Sequence, residues 1–513
     1  MGVFIYLDVS RSVTKDEWEK VYEETLKLIE NFPFGEMRKI EIHNVEVNCF
    51  VPTRERERDC RILGRKKTTT GWGTFGDLEH LETGEMFYLF RDLVDDQRVE
   101  PDAGDAMLSA LPDYMNYDWD DKRFNNCYYL WGMKTQGEPY HIYLLAVAAL
   151  IEARLGTKAF TRGDVTREQF KEAVEIANTY LDKPIELPCR CNMKCLAERA
   201  KDLPLPEIEQ LEAFIATYLG AKGADFGEFL RQAFSENLMD EYWKKVFEDA
   251  EIKTSRFDRY FRYYILWGFD FRKLPYYVNF QSNENNADYE CFVKKVMDAK
   301  LHFMFAEEEK KRIERYIPIE EIRQALKTGV GEYCDTDTII DEYLEEETKR
   351  RATDIKDADD PGEAFMRSVE QKRSKLIKMR EEFDIIRFDD LRFYKTGDKM
   401  PEVLKISLGK SMGFLNSLKE QGMFKVMMKK DIQEKFEFLT ERNQYFLLQE
   451  KDWEKIYNDI QNNQDSFGRY YSIFMTKMTS RNLIKMGIGL LLNDELYEYG
   501  QTIAVYSEED NTK

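Results

Sequence analysis

The chain has 513 residues, of which 43% are apolar and 14% aromatic, and 97 acidic side chains against 76 basic ones give a formal charge of −21. Domains usually run to about 100–200 residues, so the length excludes a single small core, and the aromatic content excludes a disordered chain. The acidic balance opposes any general grip on a polyphosphate backbone.

The apolar run Val3-Phe4-Ile5-Tyr6-Leu7 predicts a first strand, which leaves into Asp8-Val9-Ser10-Arg11-Ser12. Thr14 with Glu17 three residues later has the form of a capping box, so a helix is expected there. Trp18, Val21, Tyr22, Thr25 and Ile29 mark its buried face, and Pro33-Phe34-Gly35 should end it. Ile40 and Ile42, then Val45, Val47, Cys49 and Val51, alternate as two strands with the phase shifted at His43-Asn44. A β-α-β-β opening is the economical reading. The stretch 60–121 reads as strands and loops.

Gly137-Glu138-Pro139 predicts a helix start with proline in the first turn, and Tyr140, Tyr143, Leu144, Val147, Ile151 and Leu155 form its apolar face. A second capping box, Thr166 with Gln169, opens a helix bearing Phe170, Ala173, Val174, Ala177 and Leu181, closed by Pro184. Helical periodicity dominates after the prolines at 184, 188, 204 and 206, and the charge-crowded stretch 341–361 reads as a helix end followed by a linker. The fold class expected is therefore α+β, a small N-terminal α/β segment followed by mainly helical domains. Its divisions fall at 1–135, at 136–200 as a helical segment and Pro/Cys connector packed on it, at 201–350 and at 361–513.

Eight cysteines in 513 residues are too sparse for a disulfide scaffold, so free thiols in a reducing, cytoplasmic setting are expected. The start of the chain lacks a basic segment and a small-residue cleavage site, and no export signal is expected. The most apolar later stretch, 483–492, is interrupted by Lys485 and is half the ~20 residues a membrane span needs.

Asp8, Ser10 and Ser12 supply oxygen ligands at the end of a buried strand, which suits one divalent cation. The segment resembles the Asp-x-Ser-x-Ser metal-ion-dependent adhesion motif of von Willebrand factor A domains, over five residues and their strand–helix context. The resemblance implies a divalent cation as cofactor; the same side chains also suit turn and helix caps. Lys134, Thr135, Gln136 and His141 crowd the start of a buried helix, where they would hold an anion or small ligand, or cap the helix.

Gly71-x-Gly73-x-x-Gly76 matches a phosphate-binding glycine pattern, but Lys66 to Thr70 precede it instead of an apolar strand, so a glycine-rich β turn is expected. Cys189-x-Cys191-x-x-x-Cys195 has the wrong spacing for a zinc knuckle and reads as packing. Thr161-Arg162-Gly163-Asp164 reads as a turn. No Gly-x-Ser-x-Gly or His-Glu-x-x-His occurs, and no hydrolytic triad can be assembled around His43, His80, His141 and His302.

The aromatic, arginine-bearing stretches 256–264 and 467–471 suit helix packing first and protein contact second. The segment 405–485 carries 14 Lys/Arg against 10 Asp/Glu and is the one place where nucleic acid would be held. Together these features lead to the expectation of a cytoplasmic binding protein, an accessory, inhibitor or immunity-type factor with a protein partner engaged through an acidic helical surface. The alternative is a metal- or ligand-dependent enzyme or sensor built on the N-terminal segment.

Overall fold

The computed structural model describes residues 2–62, 65–93, 100–115, 117–118, 121–280, 287–299, 301–302, 315–354, 391–463 and 465–505. The architecture is α+β, an N-terminal sheet region followed by many helices. Its opening is β1 (Phe4–Ser10), α1 (Lys15–Ile29), β2 (Gly35–Ile42) and β3 (Val45–Pro52). The Thr14 capping box forms, with Glu17 N donating to Thr14 Oγ1 at 3.3 Å and Thr14 N to Glu17 Oε2 at 2.8 Å. His43 and Asn44 take φ of 47° and 62°, the backbone of the tight two-residue turn that suits the twist of a hairpin.

Then follow β4 (Arg56–Ile62), β5 (Arg65–Asp77), β6 (Glu82–Phe90), α2 (Met107–Tyr114), β7 (Cys127–Lys134), α3 (His141–Leu155), β8 (Ala159–Gly163) and α4 (Arg167–Tyr180). Helix α2 lies in a stretch expected to hold only strands and loops. Pro112 sits inside it, and burial of all of Met107 through Pro112 stabilises the turn that the proline weakens. Helix α3 begins later than expected, because Gln136 and Gly137 take positive φ and Glu138 to Tyr140 make a separate turn. It is also buried nearly all round, in contact with α1, α4 and β8.

Strand β1 is the centre of an antiparallel sheet, β7-β1-β8. A second sheet runs β3-β2-β5-β4, with β6 also on β5. The glycines 71, 73 and 76 therefore lie within the long strand β5, with an irregularity beside Gly76 where φ is +120°. No helix follows them, which removes the phosphate-binding geometry.

The helical middle comprises α5 (Met193–Lys201), α6 (Glu207–Thr217), α7 (Ala224–Ala233), α8 (Glu236–Glu248), α9 (Ser255–Leu266), α10 (Leu274–Tyr277), α11 (Ala287–Asp298), α12 (Ile319–Val330) and α13 (Thr336–Asp354). The C-terminal helices are α14 (Glu402–Leu418), α15 (Gly422–Met427), α16 (Ile432–Arg442), α17 (Glu450–Asn462), α18 (Ser466–Met475), α19 (Arg481–Leu492) and α20 (Asp494–Thr502). No helix among the described residues is long and apolar enough to cross a membrane.

Buried side chains collect in three clusters that cut across chain order. The N-terminal cluster joins Ile5, Leu7 and Val9 to Trp18, Trp72, Trp131 and α3. Helix α2 packs with the helical middle, through Met107, Leu111 and Phe214. Ile42, Val45, Val47 and Cys49 of the first hairpin pack with Phe436, Trp453 and Leu448 of the C-terminal bundle. That docking is also polar: Phe50 N donates to Leu448 O at 3.0 Å, Gln433 Nε2 to His43 O at 2.9 Å, and the His43 ring stacks on Tyr457 at 3.7 Å.

The expectation of free thiols holds for Cys49, Cys127, Cys191, Cys291 and Cys334. It is corrected at Cys189 and Cys195, which form a disulfide. The short helical turn Cys189–Cys191 and the start of α5 bring their Cα atoms to 5.4 Å, within bridging range.

Candidate functional site

Alternation on β1 puts Ile5, Leu7 and Val9 on one face and Phe4, Tyr6, Asp8 and Ser10 on the other. The lower half of that second face is closed over by α2. Asp8 is fully buried, and its Oδ2 accepts from Arg162 Nε at 2.7 Å and from Ser109 Oγ at 3.3 Å, while Oδ1 has no partner. Burial pushes the Asp8 carboxyl above its ordinary value, against the pull of Arg162. Arg162 also pairs with Asp113 and lies 4.2 Å above the Tyr6 ring.

The positive charge at Asp8 is thus a guanidinium. Ser10 and Ser12 turn to each other, Oγ to Oγ at 2.9 Å, and Ser10 Oγ also donates to Gly104 O at 3.1 Å. Among the described residues no three His, Cys, Asp or Glu side chains converge as a metal site. Of the residues expected to ligate a cation, the structure gives Asp8 to an ion pair and Ser10 and Ser12 to the turn that precedes α1.

A second buried polar group seals the edge of β8. Thr161 N donates to Glu152 Oε2 at 3.0 Å, and Thr161 O accepts from Arg190 Nη1 at 2.6 Å. Arg190 is 1% exposed and also donates to Thr217 O at 3.0 Å and to Tyr114 Oη at 3.1 Å. Arg199 of α5 bonds Asp105 and lies 3.8 Å from Glu152. These side chains stand where a neighbouring strand would be, so an exposed edge is closed by charge. The cysteines at 189 and 195 bracket Arg190 in this seal, and burial pushes the Cys191 thiol up to about 12.

The residues 134–141 divide. Thr135 Oγ1 and His141 Nδ1 share a hydrogen bond of 2.8 Å and are buried, and burial lowers the His141 pKa to about 4. Lys134 lies 5.0 Å from the Phe4 ring centre, and Gln136 is exposed at the turn. The first N–H groups of α3 donate to the carbonyls of Glu138, Pro139 and Tyr140, so the helix start is satisfied by its own turn. The structure brings Thr135 to His141 and leaves Lys134 and Gln136 apart from them.

The upper half of the sheet face is open. Tyr6, Asn125, Tyr129, Leu130, Trp131, Gly132, Met133 and Arg162 line a groove of about 540 Å³. Tyr129 is 50% exposed and Met133 37%. Sequence reading placed Arg162 in a turn and did not bring these residues together. The available signal was the polar and aromatic phase of β1, Tyr6-x-Asp8-x-Ser10, which marks a strand whose second face has work other than packing.

The aromatic stretches 256–264 and 467–471 are largely core. Phe257, Phe261 and Tyr264 are buried in α9, and Phe467, Tyr470 and Tyr471 in α18. Arg469 donates to Leu490 O at 2.8 Å and Leu491 O at 3.0 Å, closing the C-terminal end of α19.

The C-terminal bundle behaves differently at its surface. Helix α14 buries Leu404, Leu408, Met412 and Leu415, and on the opposite stripe exposes Val403, Ile406, Lys410 and Phe414, with Ile406 52% and Phe414 49% exposed. Helix α15 follows after a short turn and exposes Met423 and Val426, 51% and 56%. Residues 402–430 hold six lysines against two glutamates.

Comparison of the chain with family models, curated proteins and solved structures finds no match.

Proposed function

We propose that this chain is a cytoplasmic binding protein, an accessory, inhibitor or immunity-type factor, and that it engages an acidic protein surface through the lysine-bearing α14–α15 face instead of the acidic helical surface expected from composition. The observation that carries this reading is the run of exposed large apolar side chains, Val403, Ile406, Phe414, Met423 and Val426, set among lysines. Single exposed apolar residues are ordinary, but three on one stripe of α14, with two more on the helix that follows, support a contact surface. Burying the open half of each against a partner is worth about 1 kcal/mol per side chain.

The charge of the face supports the kind of partner proposed. In a chain of formal charge −21, a lysine-rich apolar face fits an acidic surface with an apolar centre, and the acidic remainder repels mispositioned encounters. The low cysteine density supports cytoplasmic action, and the Cys189–Cys195 disulfide counts against it. The same face overlaps the basic stretch 405–485, so nucleic acid is the competing occupant.

The test is capture from a native lysate by the full chain, followed by affinity measurement with the purified partner. The wild type should retain an acidic protein, and the double substitution Ile406→Glu, Phe414→Glu should lose it with no change in melting temperature. Equal capture by both chains, or retention of RNA or DNA that falls steeply with salt, overturns the reading.

A further inference from the structure

The short turn Cys189–Cys191 and the first turn of α5 form a clasp between two parts of the molecule. Arg190 lies at its centre and donates to Thr161 O of β8, to Thr217 O at the end of α6 and to Tyr114 Oη at the end of α2, while its own carbonyl accepts from Leu219 N at 3.0 Å. Cys191 packs into the N-terminal cluster and Leu196 into the cluster of the helical middle. Asn192 starts α5 by accepting from Lys194 N at 3.0 Å and from Cys195 N at 3.1 Å.

The three cysteines of this clasp differ in reach. Cys191 is buried, and burial holds its thiol at about 12, so it stays protonated and inert. Cys195 is exposed in the first turn of α5, where a helix N-terminus favours a negative sulfur, and Cys189 is half-buried beside it. The bridge between them is open to an incoming thiol at one end, and the ring that it closes contains Arg190. A bond inside a core is sheltered from exchange, whereas one that ends on an exposed helix turn is of the labile kind.

We infer that Cys189 and Cys195 are a reversible dithiol–disulfide site that exchanges with a glutathione-type thiol, and that the bridge sets how firmly Arg190 holds β8, α2 and α6 together. In the reducing direction a glutathione thiolate attacks Cys195 Sγ, the Cys189–Cys195 bond breaks, and Cys189 leaves with the electron pair and takes up a proton. A second glutathione thiolate then attacks the glutathione sulfur of the mixed disulfide, and Cys195 leaves and is protonated in turn. The protein gains two electrons and two protons, and two glutathiones become one glutathione disulfide. Glutathione disulfide drives the same steps backwards. The inference makes no use of the α14–α15 face.

The experiment equilibrates the full chain in glutathione buffers stepped from oxidised to reduced, traps thiols by alkylation for peptide mapping, and follows amide hydrogen exchange in each state. Cys189 and Cys195 should pass together from bridged to alkylated within that range and return on reoxidation, with Cys191 unlabelled throughout. On reduction, exchange should quicken about 10-fold over 189–201 and also over 217–222, which the Arg190 clasp holds from a distance in sequence, with α19 unchanged. Cys195→Ser, at an exposed position, should exchange like the reduced wild type in every buffer. A bridge that survives fully reducing glutathione, thiols that stay free in glutathione disulfide, a bridge made by Cys191, or exchange over 217–222 that is the same in both states overturns the inference.

Discussion

The N-terminal sheet and the C-terminal bundle place their exceptional residues in opposite ways. Around β1 and β8, charged side chains are inside: Asp8, Glu152, Arg162, Arg190 and Arg199 are all less than 9% exposed and bonded to one another, to backbone or to hydroxyls. On α14 and α15, large apolar side chains are outside. A buried charge must be paired to be tolerated, so the first set is accounted for by the fold; among the described residues nothing covers the exposed apolar stripe, which is the basis of the proposed contact. The contrast separates residues that look functional in sequence but serve the fold from residues proposed to meet a partner.

The largest effect that sharpens this contrast is at Arg190. Arg190→Met leaves Thr161 O, Thr217 O and Tyr114 Oη without their donor, and should cost about 3–5 kcal/mol, seen as a lowered melting temperature by circular dichroism. A loss under about 1 kcal/mol would mean that the seal on β8 is not structural. Next comes Asp8→Ala, which takes away the fully buried partner of Arg162, leaves it only the part-exposed Asp113, and should cost about 3 kcal/mol, against under about 1 kcal/mol for Ser12→Ala at the turn before α1. If millimolar Mg²⁺ raises the melting temperature of the wild type and not of Asp8→Ala, the residues belong to a cation after all and the comparison breaks at that point.

His141 gives a pH-dependent version of the same test. Burial holds its folded pKa near 4, below the ordinary 6.5, so between these values the unfolded chain takes up the proton and the folded one does not. Its contribution is fully present above pH 6.5 and is lost as pH falls through 4, up to about 3 kcal/mol in all. His141→Gln should flatten the melting-temperature profile across that window; an unchanged slope would show that the imidazole is solvated.

Much of the fold was legible because local signals agreed with it. The capping boxes at Thr14 and Thr166, the phase shift at His43-Asn44 and the alternation through Val51 all became the expected elements. The strand β8 was hidden because its five residues end in a glycine turn, and α2 because Pro112 reads as a breaker. Neither signal carries the long-range packing that decides it. The site was harder still. Asp8 meets Arg162 across a ladder formed by residues 154 positions apart, and nothing local to Asp8-x-Ser-x-Ser distinguishes a guanidinium from a cation as its partner. On α14, lysines and glycines blur the stripe, so that only the structure shows which of its apolar residues face out.

The smallest effect on the free protein is expected where the functional claim is strongest. Ile406→Glu should change stability by no more than about 0.5 kcal/mol, because the side chain is already half in water. Hydrogen–deuterium exchange of the full chain, with and without its captured protein partner, tests the claim most directly. Protection gained on 402–418 and 422–427 is the result expected; protection gained elsewhere, with these two helices unchanged, would contradict it.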